Sequence, residues 1–265
     1  LSLEAKKHGI KLIKDVVLNH IGINHWWMED MPSKDWINNK GEFFPTSHSR
    51  EVLHDPYSAK IDLINFNNGW FVEEMPDLNQ KNPFLAKYLI QNSIWWIEYA
   101  RLSGFRVDTY SYSDRKFLNQ WNKAIQNEYP GFNIVGEEWT TSKSIIGLWQ
   151  KPNEDGGEEF KPSLIQQNHP SELPSLMDFP LQNAISKAFK PRKETWNEPL
   201  LNIYKSLAED YLYPNPSNMV IFLDNHDMSR AYLQLGHDYE HWKMAIAFLL
   251  TTRGIPQLYY GTEIL

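Results

Sequence analysis

Acidic side chains recur at the ends of short apolar segments of this sequence. Asp108, Glu137 and Asp227 each follow such a segment. Carboxylates gathered in one place serve three purposes in proteins: an acid and base pair for hydrolysis, a divalent-metal site, or a set of structural ion pairs. The residue types alone leave all three open.

Glycoside hydrolysis needs two carboxyl groups in different protonation states. One attacks the anomeric carbon or activates water, and the other protonates the leaving oxygen. Arg106 lies two residues before Asp108, so on a strand the two side chains share one face. A guanidinium beside a carboxylate favours the ionised form, which suits Asp108 to attack, whereas Glu138 and Trp139 beside Glu137 favour its protonated form.

Strands and helices are predicted to alternate along the chain. The predicted strands are 10–18, 105–110, 133–139, 175–179, 219–225 and 255–260. The predicted helices are 3–8, one that begins at Asn82-Pro83 and runs to Leu102, one capped by Ser113 or Asp114, 194–212 and 240–252. This alternation indicates βαβ units and a parallel sheet.

The fold class predicted from this order is α/β, a (β/α)8 TIM barrel. The ionisable residues fall where the strands end, and in such a barrel the carboxyl ends of the strands carry the active site. A doubly wound sheet would bind ligands there as well. No glycine-rich phosphate loop follows any strand, which disfavours that alternative.

Three segments make up the predicted domain organisation. Residues 1–20 and 81–265 are assigned to the barrel, and residues 21–80 to an insertion subdomain, because this polar, Asn- and Trp-rich stretch is too long for an ordinary loop. Six strands are fewer than the eight of a closed barrel, so we expect the sequence to be about strands 3 to 8 of a longer chain.

Composition excludes several function classes. The 265 residues carry a net charge of −7, which disfavours a nucleic-acid partner, and the absence of cysteine excludes disulfides and thiol catalysis. The longest apolar runs, such as 245–250, are too short to span a bilayer. A metal-dependent hydrolase would need a His-x-His or His-Glu-x-x-His pattern, and neither occurs.

Five segments in order resemble the sequence regions of the α-amylase family of glycoside hydrolases. They are Asp15-Val-Val-Leu-Asn-His20, Met75-Pro-Asp-Leu-Asn79, Gly104-Phe-Arg-Val-Asp108, Gly136-Glu137 and Phe222-Leu-Asp-Asn-His-Asp227. The resemblance is closest to the neopullulanase and cyclomaltodextrinase side of the family, particularly to Bacteroides-type starch-utilisation enzymes. Segments such as Asn24-His-Trp-Trp27 and Thr109-Tyr-Ser-Tyr-Ser113 point there.

The resemblance implies a retaining enzyme that cleaves α-1,4-glucosidic bonds in starch-derived oligosaccharides, pullulan or cyclodextrins. Asp108 would be the nucleophile, Glu137 the acid/base, and Asp227 the third carboxylate, which binds hydroxyls of the distorted sugar. The implied supporting residues are Arg106, which holds Asp108, His20 and His226, which contact the sugar, Asp15, and Trp139 as a platform. A periplasmic or other bacterial-envelope location is also implied, and the oligomeric state is left open.

No required cofactor follows from the resemblance, and calcium is a candidate ligand of Asn19 and Asp77, whose hard oxygen atoms suit that ion. The family's common Lys-His pair after the nucleophile is replaced here by Ser111-Tyr112, which puts a calcium contact and a substrate contact in doubt. An α-glucan transglycosylase with the same covalent intermediate stays open, as does a non-catalytic carbohydrate-binding barrel. The presence of all three carboxylates disfavours the latter.

Overall fold

The structure of this chain, a computed structural model, describes residues 1–152, 170–190 and 199–265. These residues form two compact units. The first unit contains the described residues 1–137 and 170–173, and the second contains 138–152, 174–190 and 199–265. The boundaries predicted at residues 20 and 80 stay a prediction. Within the described ranges, no helix is long and apolar enough to cross a membrane.

Three parallel strands form the sheet of the first unit. They are β1 (Ile13–Val17), β2 (Gly104–Asp108) and β3 (Asn133–Gly136), with β2 in the middle. Their register pairs Val17 with Asp108, and Val107 with Gly136, so Asp108 and Glu137 both lie at the carboxyl edge of the sheet. The predicted strands ran further, because the apolar pattern continues past the residues that pair.

Side-chain caps fix where the long helices of the first unit begin. The helices of this unit are α1 (Ser2–Lys7), α2 (Lys60–Asn67), α3 (Pro83–Ala100) and α4 (Arg115–Glu128). The Asn82 side chain accepts hydrogen bonds from the first backbone N–H groups of α3, and Asp114 accepts one at the start of α4. Both caps confirm the predicted helix starts.

The segment 21–80 is more structured than its sequence indicated. It contains α2 and three short 3-10 turns. An antiparallel bridge between His20 and Asp77 holds its ends together, and a second one joins Ile37 to Leu78. Trp27 and Trp36 are buried and meet edge to face, with their ring centroids 5.4 Å apart. These two rings therefore serve the core of the segment.

Short parallel strands and five helices make up the described part of the second unit. They are α5 (Lys143–Gly147), β4 (Ser175–Leu176), α6 (Phe179–Phe189), α7 (Leu201–Ala208), β5 (Val220–Phe222), α8 (Ala231–Gln234), α9 (Tyr239–Thr251) and β6 (Ile255–Gln257). Strands β5 and β6 pair in parallel, and Met177 bridges to Val220 in parallel. The core of this unit packs α6 and α9 against β5, with Leu181, Ile221 and Leu249 buried within it.

The helix α6 was not expected from the sequence, which predicted a strand over 175–179. Asp178 instead caps this helix, since its carboxylate accepts the Leu181 backbone N–H at 3.0 Å, and Pro180 lies in the first turn. The start of the predicted helix 194–212 lies outside the described residues, and its remainder is α7 followed by a 3-10 turn over Asp210–Leu212.

Candidate active site

Arg106 contacts three carboxylates in the first unit. Its guanidinium lies 2.6 Å from Asp108 Oδ1, 2.8 Å from Asp15 Oδ2 and 2.6 Å from Glu137 Oε1. The strand register explains this arrangement, because Arg106 stands on the middle strand directly opposite Asp15. The structure thus brings together the predicted nucleophile, the predicted acid/base and the predicted supporting carboxylate.

The three carboxylates outweigh burial in setting the charge state of Arg106. Burial by itself would lower the pKa of this guanidinium, but the charges of Glu137, Asp15 and Asp108 raise it above its ordinary value. Because one cation meets both Asp108 and Glu137, it does not by itself distinguish their roles. Their exposure does differ, since the side chain of Glu137 is 7% exposed and that of Asp108 is 22% exposed.

A turn directly after Asp108 ties the strand that carries this residue to Glu137. Thr109 adopts the left-handed region at φ 46°, a costly conformation for a β-branched residue. Its backbone N–H donates to Glu137 Oε2 at 3.1 Å, and the Tyr110 N–H donates to the Glu137 carbonyl at 3.1 Å. Sequence reasoning missed this turn, because a left-handed threonine has no reliable sequence signal.

His20 lies close enough to Asp108 for the negative charge of that carboxylate to affect the pKa of the imidazole. Burial lowers the pKa of His20, and the negative charge of Asp108 partly offsets that effect. The ring of His20 stacks on Phe71, with their centroids 6.3 Å apart. The neutral imidazole that burial favours is able both to donate and to accept a hydrogen bond with a hydroxyl group.

Tyr112, in the segment after Asp108, has a set of partners from residues 21–80. The ring is buried and stacks on Phe66 with centroids 4.8 Å apart. Its hydroxyl lies 3.1 Å from His48 Nδ1 and accepts a hydrogen bond from Arg50 at 3.2 Å. The insertion therefore brings two nitrogen-bearing side chains to the loop that follows Asp108.

Asn19 and Asp77, the predicted calcium ligands, are both buried and lie close together. Burial raises the pKa of Asp77 well above its ordinary value, and hydrogen bonds from Asn38 and Asn19 partly offset this. The side-chain carbonyl oxygen of Asn19 has no hydrogen-bond partner among the described residues. A buried carboxylate beside an unsatisfied oxygen suits a hard cation, although the described residues contain no cluster of three or more His, Asp or Glu side chains around a common metal position.

Asp227 and His226 lie in the second unit, on the loop between β5 and α8. The Asp227 carboxylate is 44% exposed and lies 3.2 Å from the ring of His226, which is 52% exposed. The backbone N–H of Asp227 donates to the side chain of Asn225 at 2.9 Å. The pattern Asn-x-Asp is typical of such a local turn, so this contact was readable from the sequence.

Trp139, the predicted sugar platform, also belongs to the second unit. Its indole stacks on Phe179, with centroids 4.8 Å apart and the ring planes 21° from parallel. The side chain is 41% exposed, so part of the indole is open to solvent. An immobilised and partly exposed ring of this kind is able to pack against the apolar face of a sugar.

Known proteins with similar sequences define the family to which this chain belongs. The family profile described as "Alpha amylase, catalytic domain" matches residues 1–265, and the chain therefore belongs to the α-amylase catalytic-domain family. The sequence is 28% identical over 261 residues to the intracellular maltogenic amylase of Bacillus subtilis, covering 97% of this chain and 38% of that protein. It is 27% identical over 266 residues to a cyclomaltodextrinase of Thermoanaerobacter pseudethanolicus, covering 97% of this chain and 40% of that protein.

Solved structures confirm the predicted fold class. The α-amylase of Geobacillus thermoleovorans, solved as a complex with acarbose, superposes with a TM-score of 0.75 at 28% identity, covering 99% of this chain and 52% of that chain. An Anoxybacillus α-amylase gives a TM-score of 0.76 at 27% identity, covering 99% and 51%. The fold is that of the TIM-barrel glycosidases, and the chain spans roughly two fifths to one half of the proteins it matches.

Proposed function

We propose that this chain carries the catalytic residues of a retaining glycosidase that cleaves α-1,4-glucosidic bonds in starch-derived oligosaccharides, pullulan or cyclodextrins. The observation that carries the proposal is the guanidinium of Arg106, which contacts both Asp108 and Glu137 at the ends of adjacent parallel strands. A retaining mechanism needs two carboxyl groups about 5–5.5 Å apart. Two carboxylates on one guanidinium are compatible with that spacing.

The proposed steps follow from the chemistry of the two carboxylates. Asp108 attacks the anomeric carbon while Glu137 gives a proton to the departing oxygen, which leaves a covalent glycosyl ester on Asp108. Glu137 then removes a proton from water, which hydrolyses the ester with overall retention. Asp227 is proposed to bind hydroxyls of the distorted sugar, with His20 and His226 as further sugar contacts and Trp139 as a platform.

Trapping of the intermediate tests this proposal directly. The complete protein is incubated with a slow 5-fluoro-α-glycosyl fluoride, and its peptides are examined by mass spectrometry. We expect the added mass on the peptide that contains Asp108, and no added mass in Asp108→Asn. A label on another carboxylate, or release of a β-configured product from an oligosaccharide, would contradict the assignment.

A second candidate reaction shares the same intermediate but passes the sugar to another sugar. The observation in its favour is 26% identity over 264 residues to the cyclomaltodextrin glucanotransferase of Paenibacillus macerans. Whether water or a sugar reacts with the ester depends on how well each occupies the acceptor position. Product chromatography at high maltotriose concentration separates the two, since transfer gives products longer than the substrate.

Calcium and cellular location are further parts of the proposal. Asn19 and Asp77 would hold a calcium ion at the point where the insertion meets β1, where the ion would neutralise a buried carboxylate and stabilise the fold.

An envelope location rests on the resemblance to starch-utilisation enzymes. Fractionation of the source cells, with the protein followed by antibody, tests it.

A further inference from the structure

The third proposed carboxylate, Asp227, has little side-chain support of its own. Among the described residues, its carboxylate contacts His226, which is itself half exposed. A single contact between two side chains this exposed does little to fix the direction of a carboxylate. The position of Asp227 must therefore come from the backbone of its loop, residues 223–230 between β5 and α8.

A buried carboxylate three residues earlier in the chain holds both ends of this loop. Asp224 is 1% exposed, and its Oδ2 accepts the backbone N–H of Ala231 at 2.8 Å, where the loop enters α8. Its Oδ1 accepts the hydroxyl of Thr262 at 2.8 Å, so the loop is also tied to the segment that follows β6. The two oxygens of one side chain thus bind the backbone at the start of α8 and the side chain of a residue that follows β6.

Neighbouring contacts reinforce this anchor on the other side of the loop. Arg230 Nε lies 3.8 Å from Asp224 Oδ2, while its guanidinium donates to the Tyr260 carbonyl at 2.7 Å and lies over the ring of Tyr259 at 4.6 Å. Next to Asp224, the buried side chain of Asn225 accepts the backbone N–H of Asp227. Asp227 is therefore placed between two anchored stretches of chain.

We propose that Asp224 is a positioning residue for Asp227, which it serves by fixing the loop through Ala231 and Thr262. The inference rests on the proposed function, because it matters only if Asp227 binds the sugar in the transition state. An asparagine at position 224 would keep one oxygen but would replace the second acceptor by a donor. The hydroxyl of Thr262 would then have to turn and accept from this N–H, and both contacts would lose the strength that the negative charge of Asp224 gives them.

The test uses the complete protein and α-glucosyl fluoride, whose good leaving group keeps the rates of weak variants measurable. We expect Asp224→Asn to lower kcat by about 10- to 100-fold with little change in KM, since small misplacement of a catalytic group costs rates of this order. Thr262→Val, which removes one of the two anchors, should show a smaller loss of the same kind. Asp178→Asn is the matched control, because Asp178 is also a buried carboxylate that caps a helix of the second unit. It should lower the melting temperature without this fall in kcat.

A double-mutant cycle separates a positioning role from a purely structural one. If Asp224 acts through Asp227, the Asp224→Asn change should cost nothing further once Asp227→Ala is present, because the two effects are then not additive. Full additivity, or a kcat of Asp224→Asn equal to wild type, would overturn the proposal. If Asp224→Asn fails to fold, Thr262→Val is measured in the same cycle and decides between the two roles by the same criterion. A wild-type rate for Asp227→Ala alone would instead refute the proposed function of Asp227.

Discussion

The two units of this chain hold their candidate catalytic carboxylates by different physical means. In the first unit, a single cation, Arg106, contacts the side chains of Asp108 and Glu137 directly. In the second unit, the Asp227 side chain is half exposed, and the neighbouring residue Asp224 fixes the backbone instead. The proposed chemical tasks differ in the same way: a nucleophile and an acid must have the right charge and separation, whereas a sugar-binding carboxylate must have the right position.

The second unit also contains a charged network, but it is separate from the loop that carries Asp227. Arg253 pairs with Asp178 at 2.7 Å and with Asp210 at 2.6 Å, and Lys143 lies 2.5 Å from Asp210. Like Arg106, Arg253 is a largely buried arginine that forms ion pairs with more than one carboxylate. The two units therefore offer a matched pair of arginines, one in the candidate site and one outside it.

Among the variants that test this comparison of the two units, Arg106→Lys is expected to have the largest effect. A lysine keeps the charge but cannot contact two carboxylates in the planar geometry of a guanidinium, so we expect kcat/KM on maltotriose to fall by about 10²–10³-fold. Arg253→Lys is the control and should change thermal stability with kcat/KM nearly intact. Equal loss of activity in both variants would break the comparison.

A smaller effect is expected from Asp210→Asn, which should lower the free energy of unfolding by an amount that depends on pH. Burial would raise the pKa of Asp210, but hydrogen bonds from Arg253 and Lys143 and their charges lower it below its ordinary value of 3.8. A carboxylate with a lowered folded-state pKa stabilises the protein at neutral pH, and this contribution is lost as the pH falls through the folded-state pKa.

The measurement is urea unfolding of wild type and Asp210→Asn between pH 3 and pH 7. We expect a difference in unfolding free energy of about 1.5–3 kcal/mol at pH 7, the range for hydrogen bonds to charged groups. The difference should shrink at the acidic end. A constant difference across the range would show that the network does not act through the charge of Asp210.

The smallest effect is expected from calcium, since it concerns stability at one edge of the first unit. If Asn19 and Asp77 hold the ion, chelator should lower the melting temperature of wild type by a few degrees, as expected for loss of a ligand that binds the folded state. Asp77→Asn should respond to neither calcium nor chelator. In chelator this variant should be at least as stable as wild type, because it no longer buries a carboxylate. An unchanged melting temperature of wild type in chelator would end the calcium proposal.

Local patterns made much of the first unit predictable. The caps at Asn82 and Asp114 and the strand that carries Asp108 depend on residues close together in sequence, and the structure has each of them. The family regions likewise placed Asp108 and Glu137 at strand ends. The predicted strands extended past the observed strand ends, because hydrophobicity indicates burial, whereas a strand also requires a paired neighbour.

The contacts that could not be predicted join residues that are distant in sequence. That Arg106 also meets Glu137 depends on the register of two strands, and that Asp224 meets Thr262 depends on a contact across 38 positions. No periodicity encodes either contact. The helix at Phe179–Phe189 is a different case, because the Asp178 cap and the following proline were available signals that the apolar run obscured.

Cleavage of an activated substrate by Glu137→Ala, compared with Asp108→Ala, tests the central claim most directly. The fluoride ion of an α-glucosyl fluoride leaves without being protonated, so formation of the covalent intermediate should survive in Glu137→Ala. Added azide needs no general base, so it should restore turnover and give an α-configured glycosyl azide. Asp108→Ala should lose the covalent route on every substrate, with or without azide. On oligosaccharides, Glu137→Ala should be slower by at least about 10²–10⁴-fold, the usual contribution of a general acid. Equal loss of fluoride cleavage in both variants, with azide present, would contradict the assignment of Glu137 as the acid/base.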